Sequence, residues 1–231
     1  TGEGMMVKLG GTINMENVSF DNLSNIKIPG LSWSGAINII NSKLKLRNIK
    51  ISNTVGEDAI NIVNSNSTLE NLLITNVPSD GLDIDFGTLE FLEISCNNIG
   101  NDCLDVSSAT ISGDIVKGKK IGDKLISIGE KSIFNLNEVL GSDLNIGVAV
   151  KDSSFGEINN LSLTRANIDI AVFQKKPFFG PSKLFVHNMA AYPSSKQKNL
   201  VADQNILNIN KELLPTFGSS QKIEKLLYAN Q

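Results

Sequence analysis

The chain has 231 residues, with 21 basic and 24 acidic side chains and a formal net charge of −3. This balance argues against nucleic acid or an anionic membrane surface as the main partner, because both attract a strongly basic footprint. Hydrophobic residues make up 41% of the chain, which supports a folded core, and no apolar run reaches the ~18 residues of a membrane-spanning helix. We therefore expect a folded domain without membrane insertion.

A short phrase of alternating apolar and polar residues recurs along the chain. Its first apolar residues follow one another at intervals of 22 residues, and they are Ile60, Leu82, Leu104, Ile126, Val148 and Ile170. Ile37 precedes Ile60 by 23 residues. The alternation is typical of a strand, and each phrase is followed by a second β-rich run.

The repeat length selects the architecture. A period of ~22 residues is too short for a propeller blade, and the helix and L-x-x-L-x-L phrase of a leucine-rich repeat are missing. The pattern predicts an all-β parallel β-helix of about eight coils of ~22 residues, in which apolar columns stack into one continuous core.

In chain order, the β-helix is expected over residues 1–188. An insertion near residues 23–34 carries Trp33, the only tryptophan. The repeat fades after Asn188, so residues 189–231 are expected to form a C-terminal capping segment. Within it, Ser219 and Ser220 can cap a short helix that presents Ile223, Leu226 and Leu227 on one face and hides the open core.

Asparagines recur at turn positions. Asn53, Asn76 and Asn98 are separated by 23 and 22 residues. Asparagine tolerates the left-handed conformation and can bond its own kind, so a ladder of amides is expected along this turn.

The outward-facing column between the apolar ones changes character along the chain. It carries Asn38 and Asn61 in the early coils and then Asp83 and Asp105. Stacked positions lie ~5 Å apart, so these two carboxylates are expected to be neighbours with Asp85 beside them. Like charges this close repel unless one is protonated or a cation lies between them. An acid–base pair, a Ca²⁺ site and a set of exposed turn acids offset by lysines all remain open.

Lysines lie on the same side of the predicted solenoid. Lys151 shares a column with Asp85, and Lys124 follows Asp102 in another column. Lysine can hold an anionic sugar or act as a base if burial lowers its pKa, whereas a solvated stripe of ion pairs is the plain alternative.

Cysteine and histidine contribute little to the predicted site. Cys96 and Cys103 lie on different parts of one predicted coil and are expected to be two free thiols. His187, the single histidine, is expected to be structural, and without a second histidine a Ser/His/Asp triad is not indicated.

The segments 80–85, 122–132 and 146–154 resemble those of bacterial right-handed parallel β-helix repeat proteins of the pectin-lyase-like superfamily, and the resemblance extends over residues 37–188. It implies a right-handed helix and a secreted or cell-surface domain, often joined to other domains of a longer chain. Characterised members include polysaccharide lyases, glycoside hydrolases and epimerases. The Gly-His-Gly and Arg-x-Lys phrases of the polygalacturonases are not present, so that activity is not indicated.

The resemblance implies a carbohydrate-active domain that binds or acts on an acidic polysaccharide, like a lyase or epimerase if it is catalytic. The alternative is a non-catalytic glycan-binding or spacer module. A lyase of this superfamily pairs a basic residue with acidic Ca²⁺ ligands. The candidate catalytic residues are Lys151, Asp105 and Glu130. The candidate substrate-binding residues are Lys124, Lys131, Asp152 and Lys175. The candidate metal ligands are Asp83, Asp85 and Asp105.

Overall fold

The computed structural model describes residues 4–26, 30, 33–190 and 198–228. They form a parallel β-solenoid of about eight turns, with one short helix at the C-terminal end. Most strands are long because they continue around the corners of the coil. The elements are β1 (Met6–Glu16), β2 (Ser19–Asp21), β3 (Gly35–Arg47), β4 (Ile49–Ser52), β5 (Asp58–Val77), β6 (Asp80–Ile99), β7 (Leu104–Gly129), β8 (Ile133–Lys151), β9 (Phe155–Phe173), β10 (Lys183–Met189), β11 (Asn199–Val201), β12 (Ile206–Ile209), β13 (Glu212–Leu213) and α1 (Ser220–Tyr228).

The predicted inward columns are confirmed. Ile60 pairs with Leu82, and Leu82 pairs with Leu104, each in a parallel register one coil apart. Ile126 pairs in the same way with Val148. All five side chains are at most 1% exposed, so one stacked apolar column runs through the core and the 22-residue interval sets the register.

The predicted asparagine ladder is also confirmed. Asn53, Asn76 and Asn98 have φ values of 55°, 56° and 61°. The amide of Asn76 donates to Oδ1 of Asn53 at 3.2 Å, and that of Asn98 donates to Oδ1 of Asn76 at 3.0 Å. Each amide both donates and accepts, which satisfies the turn without charge.

The coils continue beyond the boundary predicted at residue 188. β11 pairs in parallel with β9, and β12 pairs in parallel with β10. The last pairing, between β12 and β13, is antiparallel. The chain therefore reverses direction where the parallel stack ends, and the predicted capping segment contains strands of the solenoid itself.

The C-terminal helix forms as predicted but lies elsewhere. The Ser219 hydroxyl accepts a hydrogen bond from the Lys222 backbone N–H at 3.3 Å, as expected of a helix cap. Ile223 and Leu227 are buried, but Leu226 is 43% exposed. The buried pair packs with Ala149 and other outward residues of β8 and β9. The helix therefore covers the outer surface of the last coils, and the expectation that it hides the open core is wrong.

The cysteines are not free thiols. Cys96 and Cys103 form a disulfide with a Cα–Cα distance of 5.9 Å, because the corner between β6 and β7 brings the two positions together. Both residues are buried. The bridge clamps the connection between the coil that carries Asp83 and the coil that carries Asp105.

The predicted insertion near residues 23–34 lies in part outside the described residues, as do segments 191–197 and 229–231 of the predicted C-terminal segment. At its described end, the Ser34 carbonyl accepts hydrogen bonds from the backbone N–H groups of Glu57 and Asp58 at 3.0 and 3.3 Å. In the described part of the chain, no helix has the length and apolar character needed to cross a membrane.

Candidate functional site

One outer face of the solenoid gathers most of the predicted site residues. We call it the wall, and it consists of the stacked segments 58–63, 80–85, 102–107, 124–129, 146–151 and 168–173. In the last two coils α1 covers it, so Ala149 and Ala171 are fully buried although their columns point outward. The middle coils lie outside that cover, and there the wall carries carboxylates.

The predicted carboxylate pair is confirmed. Asp83 and Asp105 are register partners on the adjacent strands β6 and β7, and Asp85 pairs with Ser107 one step further along. Neighbouring strands lie ~4.8 Å apart, so the carboxylates of Asp83 and Asp105 rise side by side from the wall. The Asn61 amide donates to Oδ2 of Asp83 at 2.9 Å from the preceding coil.

This crowding has a large effect on Asp83. Burial, followed by repulsion from Asp85, Asp58 and Asp105, raises the pKa of Asp83 to about 9. Burial and repulsion from Asp105 also raise the pKa of Asp85. Asp83 is therefore a neutral carboxylic acid at pH 7 that lies next to other carboxyl groups, an arrangement that suits proton transfer.

A second column of aspartates flanks the pair at the start of each strand. Burial raises the pKa of Asp58 and that of Asp80 to about 6 in each case. Oδ1 of Asp80 accepts the backbone N–H of Asp102 at 2.7 Å, and Oδ1 of Asp102 accepts that of Lys124 at 2.9 Å. These two carboxylates brace the next coil as well as adding negative charge to the wall.

Lys124 is held by protein carboxylates. Its ammonium group bonds Asp102 at 3.3 Å and also Asp123, and all three residues are buried. Burial works against the charge, but the two carboxylates outweigh it and raise the pKa of Lys124. The predicted substrate-binding lysine thus stays charged, with its Nζ engaged inside the protein.

The loop of residues 174–182 folds back over the turns of two earlier coils. Oδ1 of Asp152 accepts the backbone N–H groups of Lys175 and Lys176 at 2.7 and 2.8 Å. The Lys176 ammonium forms an ion pair with Glu130. Burial of Glu130 is outweighed by hydrogen bonds from Lys176 and Ser107, which lower its pKa. Asp152, predicted to bind substrate, instead anchors this loop.

Two further lysines border the carboxylate pair. Lys151 is 8% exposed and pairs in register with Phe173. Lys175 Nζ lies 5.7 Å from the centre of the Tyr228 ring at the end of α1. Burial, then repulsion from Lys151 and Lys124, lowers the pKa of Lys175, while Asp105 opposes the shift. Lys175 therefore lies within electrostatic range of both Lys151 and Asp105, where the acidic part of the wall reaches the helix.

The remaining predicted residues are less closely joined to this group. Lys131 Nζ lies 6.0 Å from the Phe179 ring centre, on the side of the 174–182 loop. Within the described ranges, no group of three or more His, Cys, Asp or Glu side chains is arranged to hold a metal ion. The predicted calcium ligands Asp83, Asp85 and Asp105 therefore do not form a ligand set in this structure.

One surface depression lies away from these groups. It has a volume of about 530 Å³ and is lined in part by Glu90, Phe91 and Asp114. Glu90 and Asp114 are exposed, so solvent screens their charges. We place the candidate site on the wall because ionisable groups are buried together there, which is the usual mark of a functional site.

The sequence analysis did not include the second aspartate column among the candidate site residues. The recurrence of Asp58, Asp80 and Asp102 at the 22-residue interval was the available signal. Tyr228 and Asp123 were missed, and the repeat holds no signal for Tyr228 because its position depends on how α1 docks.

Comparisons with protein-family models, with curated proteins and with solved structures each returned no match. The fold and the site chemistry are therefore the basis for any functional proposal.

Proposed function

We propose that the wall binds an acidic polysaccharide and acts on it by acid–base chemistry of the lyase or epimerase type. The observation that carries the proposal is the side-by-side pair of Asp83 and Asp105, in which crowding and burial keep one carboxyl protonated at neutral pH. Pairs of acids whose pKa values are pushed apart are a recurrent source of acid and base roles in enzymes.

The pair has a defined role in elimination from a uronate. Asp105 removes the proton next to the sugar carboxylate, the bond to the leaving oxygen breaks, and Asp83 gives its proton to that oxygen as a carbon–carbon double bond forms. In epimerisation the proton returns to the same carbon from the opposite face. The residues thus change protonation state in turn, and exchange with water resets them.

The lysines supply the charge that such a substrate requires. Lys175 interacts electrostatically with both Lys151 and Asp105. A sugar carboxylate placed between the two lysines would be neutralised, which makes the neighbouring proton easier to remove. Sequence analysis placed Lys151 as the base. We assign it instead to the substrate carboxylate, and we assign the base role to Asp105, the register partner of the acid Asp83.

The disulfide supports a location outside the cytosol. Disulfides persist in oxidising compartments and are rare where thiols are kept reduced. Cys96–Cys103 is buried inside the solenoid, which fits the proposal of an extracellular or cell-surface protein.

A non-catalytic glycan-binding module is the second candidate. It is favoured by the position of the middle coils outside the cover of α1, which leaves that part of the wall open to a polymer chain. In that case the wall would retain a glycan without changing it.

The test incubates the protein with polygalacturonate, alginate and hyaluronate and follows the ultraviolet absorbance of an unsaturated product. Epimerisation is followed separately by NMR of the recovered alginate. We expect product with the wild type and at least a hundredfold loss with Asp105→Asn or Asp83→Asn, because removing a general acid or base has an effect of about this size. Parallel reactions with Ca²⁺ and with a chelator test the calcium site predicted from the sequence. If the polymers retain the protein but no product forms, the binding module is favoured. If no product forms and no polymer retains the protein, the proposal is overturned.

A further inference from the structure

The turn that follows the carboxylate pair carries an aromatic residue in an unusual conformation. Phe86 has φ 52° and is 55% exposed. A bulky side chain in the left-handed region is strained, and such strain persists where the surrounding structure imposes it. The next residue lies close against the preceding coil, because Gly87 has φ 142° and a Cβ there would lie 2.2 Å from the Ser65 carbonyl oxygen.

The equivalent turns of neighbouring coils are polar. Asn41, Asn64 and Ser108 occupy the same position with φ values of 52°, 46° and 55°. The Asn64 amide donates to Oδ1 of Asn41 at 2.7 Å, so an asparagine at position 86 would extend an existing ladder. The ring of Phe86 replaces the residue that the turn would favour.

More than half of the Phe86 surface is open to solvent. Within the described part of the chain, no aromatic pair and no cation–π contact includes Phe86. The residue adjoins Asp85 in the chain, and Asp83 lies three residues before it, about 10 Å along the strand. A flat apolar face is thus held in solvent at one end of the acidic strand.

We propose that Phe86 is a stacking platform for a pyranose ring, and that it binds the glycan next to the linkage on which Asp83 and Asp105 act. One face of a pyranose presents C–H groups, which pack on an aromatic ring, while its hydroxyls are free to bond Asp85. This inference rests on the proposed function and names the chemistry of a further subsite. It limits the preferred ligands to sugars with an unobstructed C–H face.

The deciding variant is Phe86→Asn, measured by affinity electrophoresis in gels that contain polygalacturonate, alginate or hyaluronate. We expect a roughly tenfold weaker retention of the variant by the polymer that retains the wild type, the effect of removing an apolar contact of this size. Its melting temperature should stay the same or rise, because the amide joins the ladder. Phe86→Tyr keeps the ring and should bind like the wild type.

Leu92→Asn is the matched control, since Leu92 is 52% exposed on a different face and the substitution removes a comparable apolar surface. It should leave retention unchanged. Unchanged retention of Phe86→Asn, or an equal loss in Leu92→Asn, would overturn the platform while leaving the proposed function in place. A wild type that none of the three polymers retains would overturn the platform, and it would overturn the proposed function as well only if no product forms.

Discussion

The early and middle coils have the same backbone path, but the same outward column holds asparagine side chains in the early coils and aspartate side chains in the middle coils. In the early coils Asn38 bonds its own strand, accepting the Gly35 N–H at 3.1 Å and donating to the Gly35 carbonyl at 2.5 Å. In the middle coils the same column holds the carboxyl groups of Asp83 and Asp105, which are neighbours in register. An ionised carboxylate can only accept hydrogen bonds. An amide is satisfied at this position, whereas a carboxylate pair destabilises the fold, so the change from Asn to Asp is better explained by function than by stability.

The largest effect is expected in the inner apolar column, which runs through both the early and the middle coils. Leu104 is fully buried in the inner column that passes behind both, and Leu104→Asp would bury an unpaired carboxylate at a cost of several kcal/mol. We expect the variant to be unfolded or insoluble by circular dichroism. The control is Ser112→Asp at an exposed site of the same strand, which should fold. A soluble Leu104→Asp protein with unchanged melting would contradict the register.

The second prediction is that the aspartates of the middle coils make the free energy of unfolding depend on pH. The folded pKa of Asp83, about 9, lies above the ordinary aspartate pKa of 3.8. Its contribution to stability is therefore fully present below pH ~4 and is lost as pH rises toward 9. The free energy of unfolding should therefore fall by a few kcal/mol over this window, since each unit corresponds to about 1.4 kcal/mol.

Chemical denaturation at pH 4.5, 6, 7.5 and 9 measures this slope. Asp83→Asn should flatten it and stabilise the protein at pH 7.5, because the amide keeps the Asn61 contact without a proton to lose. Asn61→Asp should steepen the slope by extending the acidic pair into the early coils. Parallel slopes for the three proteins would show that the column does not carry the effect.

The third prediction concerns the Cys96–Cys103 disulfide, which lies in the middle coils that carry the aspartates. Replacing both Cys96 and Cys103 by alanine should lower the free energy of unfolding by about 2 kcal/mol, because a short closed loop in the unfolded chain is released. Wild type unfolded in the presence of a reductant should match the variant. Equal stability of the oxidised wild type and the double variant would show that the clamp contributes nothing.

The smallest effect is expected at the rim of the wall. Lys176→Gln removes the cation that pairs with Glu130, in a contact whose lysine side chain is 44% exposed. The loss should be no more than about 1 kcal/mol, with faster hydrogen exchange in residues 175–180. Arg165→Gln breaks the exposed pair with Asp143 on another face and should not change that exchange. If the loop is equally protected from exchange in the wild type and in Lys176→Gln, the ion pair does not hold the loop in place.

The repeat made the coil register predictable, including the inward position of Leu104 and the meeting of Asp83 with Asp105. A fixed interval determines which residues stack, so these followed from spacing alone. It does not determine what lies over a column, which is why the burial of Ala149 beneath α1 was not foreseen. The Cys96–Cys103 bridge was missed for a similar reason, because it depends on the shape of one corner and not on the repeat.

The most direct test of the account is the titration of the Asp83 carboxyl group, followed by ¹³C NMR of selectively labelled aspartate and assigned by comparison with Asp83→Asn. We expect a resonance that remains that of a protonated acid at pH 7 and titrates near 9, because burial and the surrounding carboxylates disfavour its charge. Titration near pH 4, as for an exposed aspartate, would contradict the claim that this wall holds a proton ready for transfer.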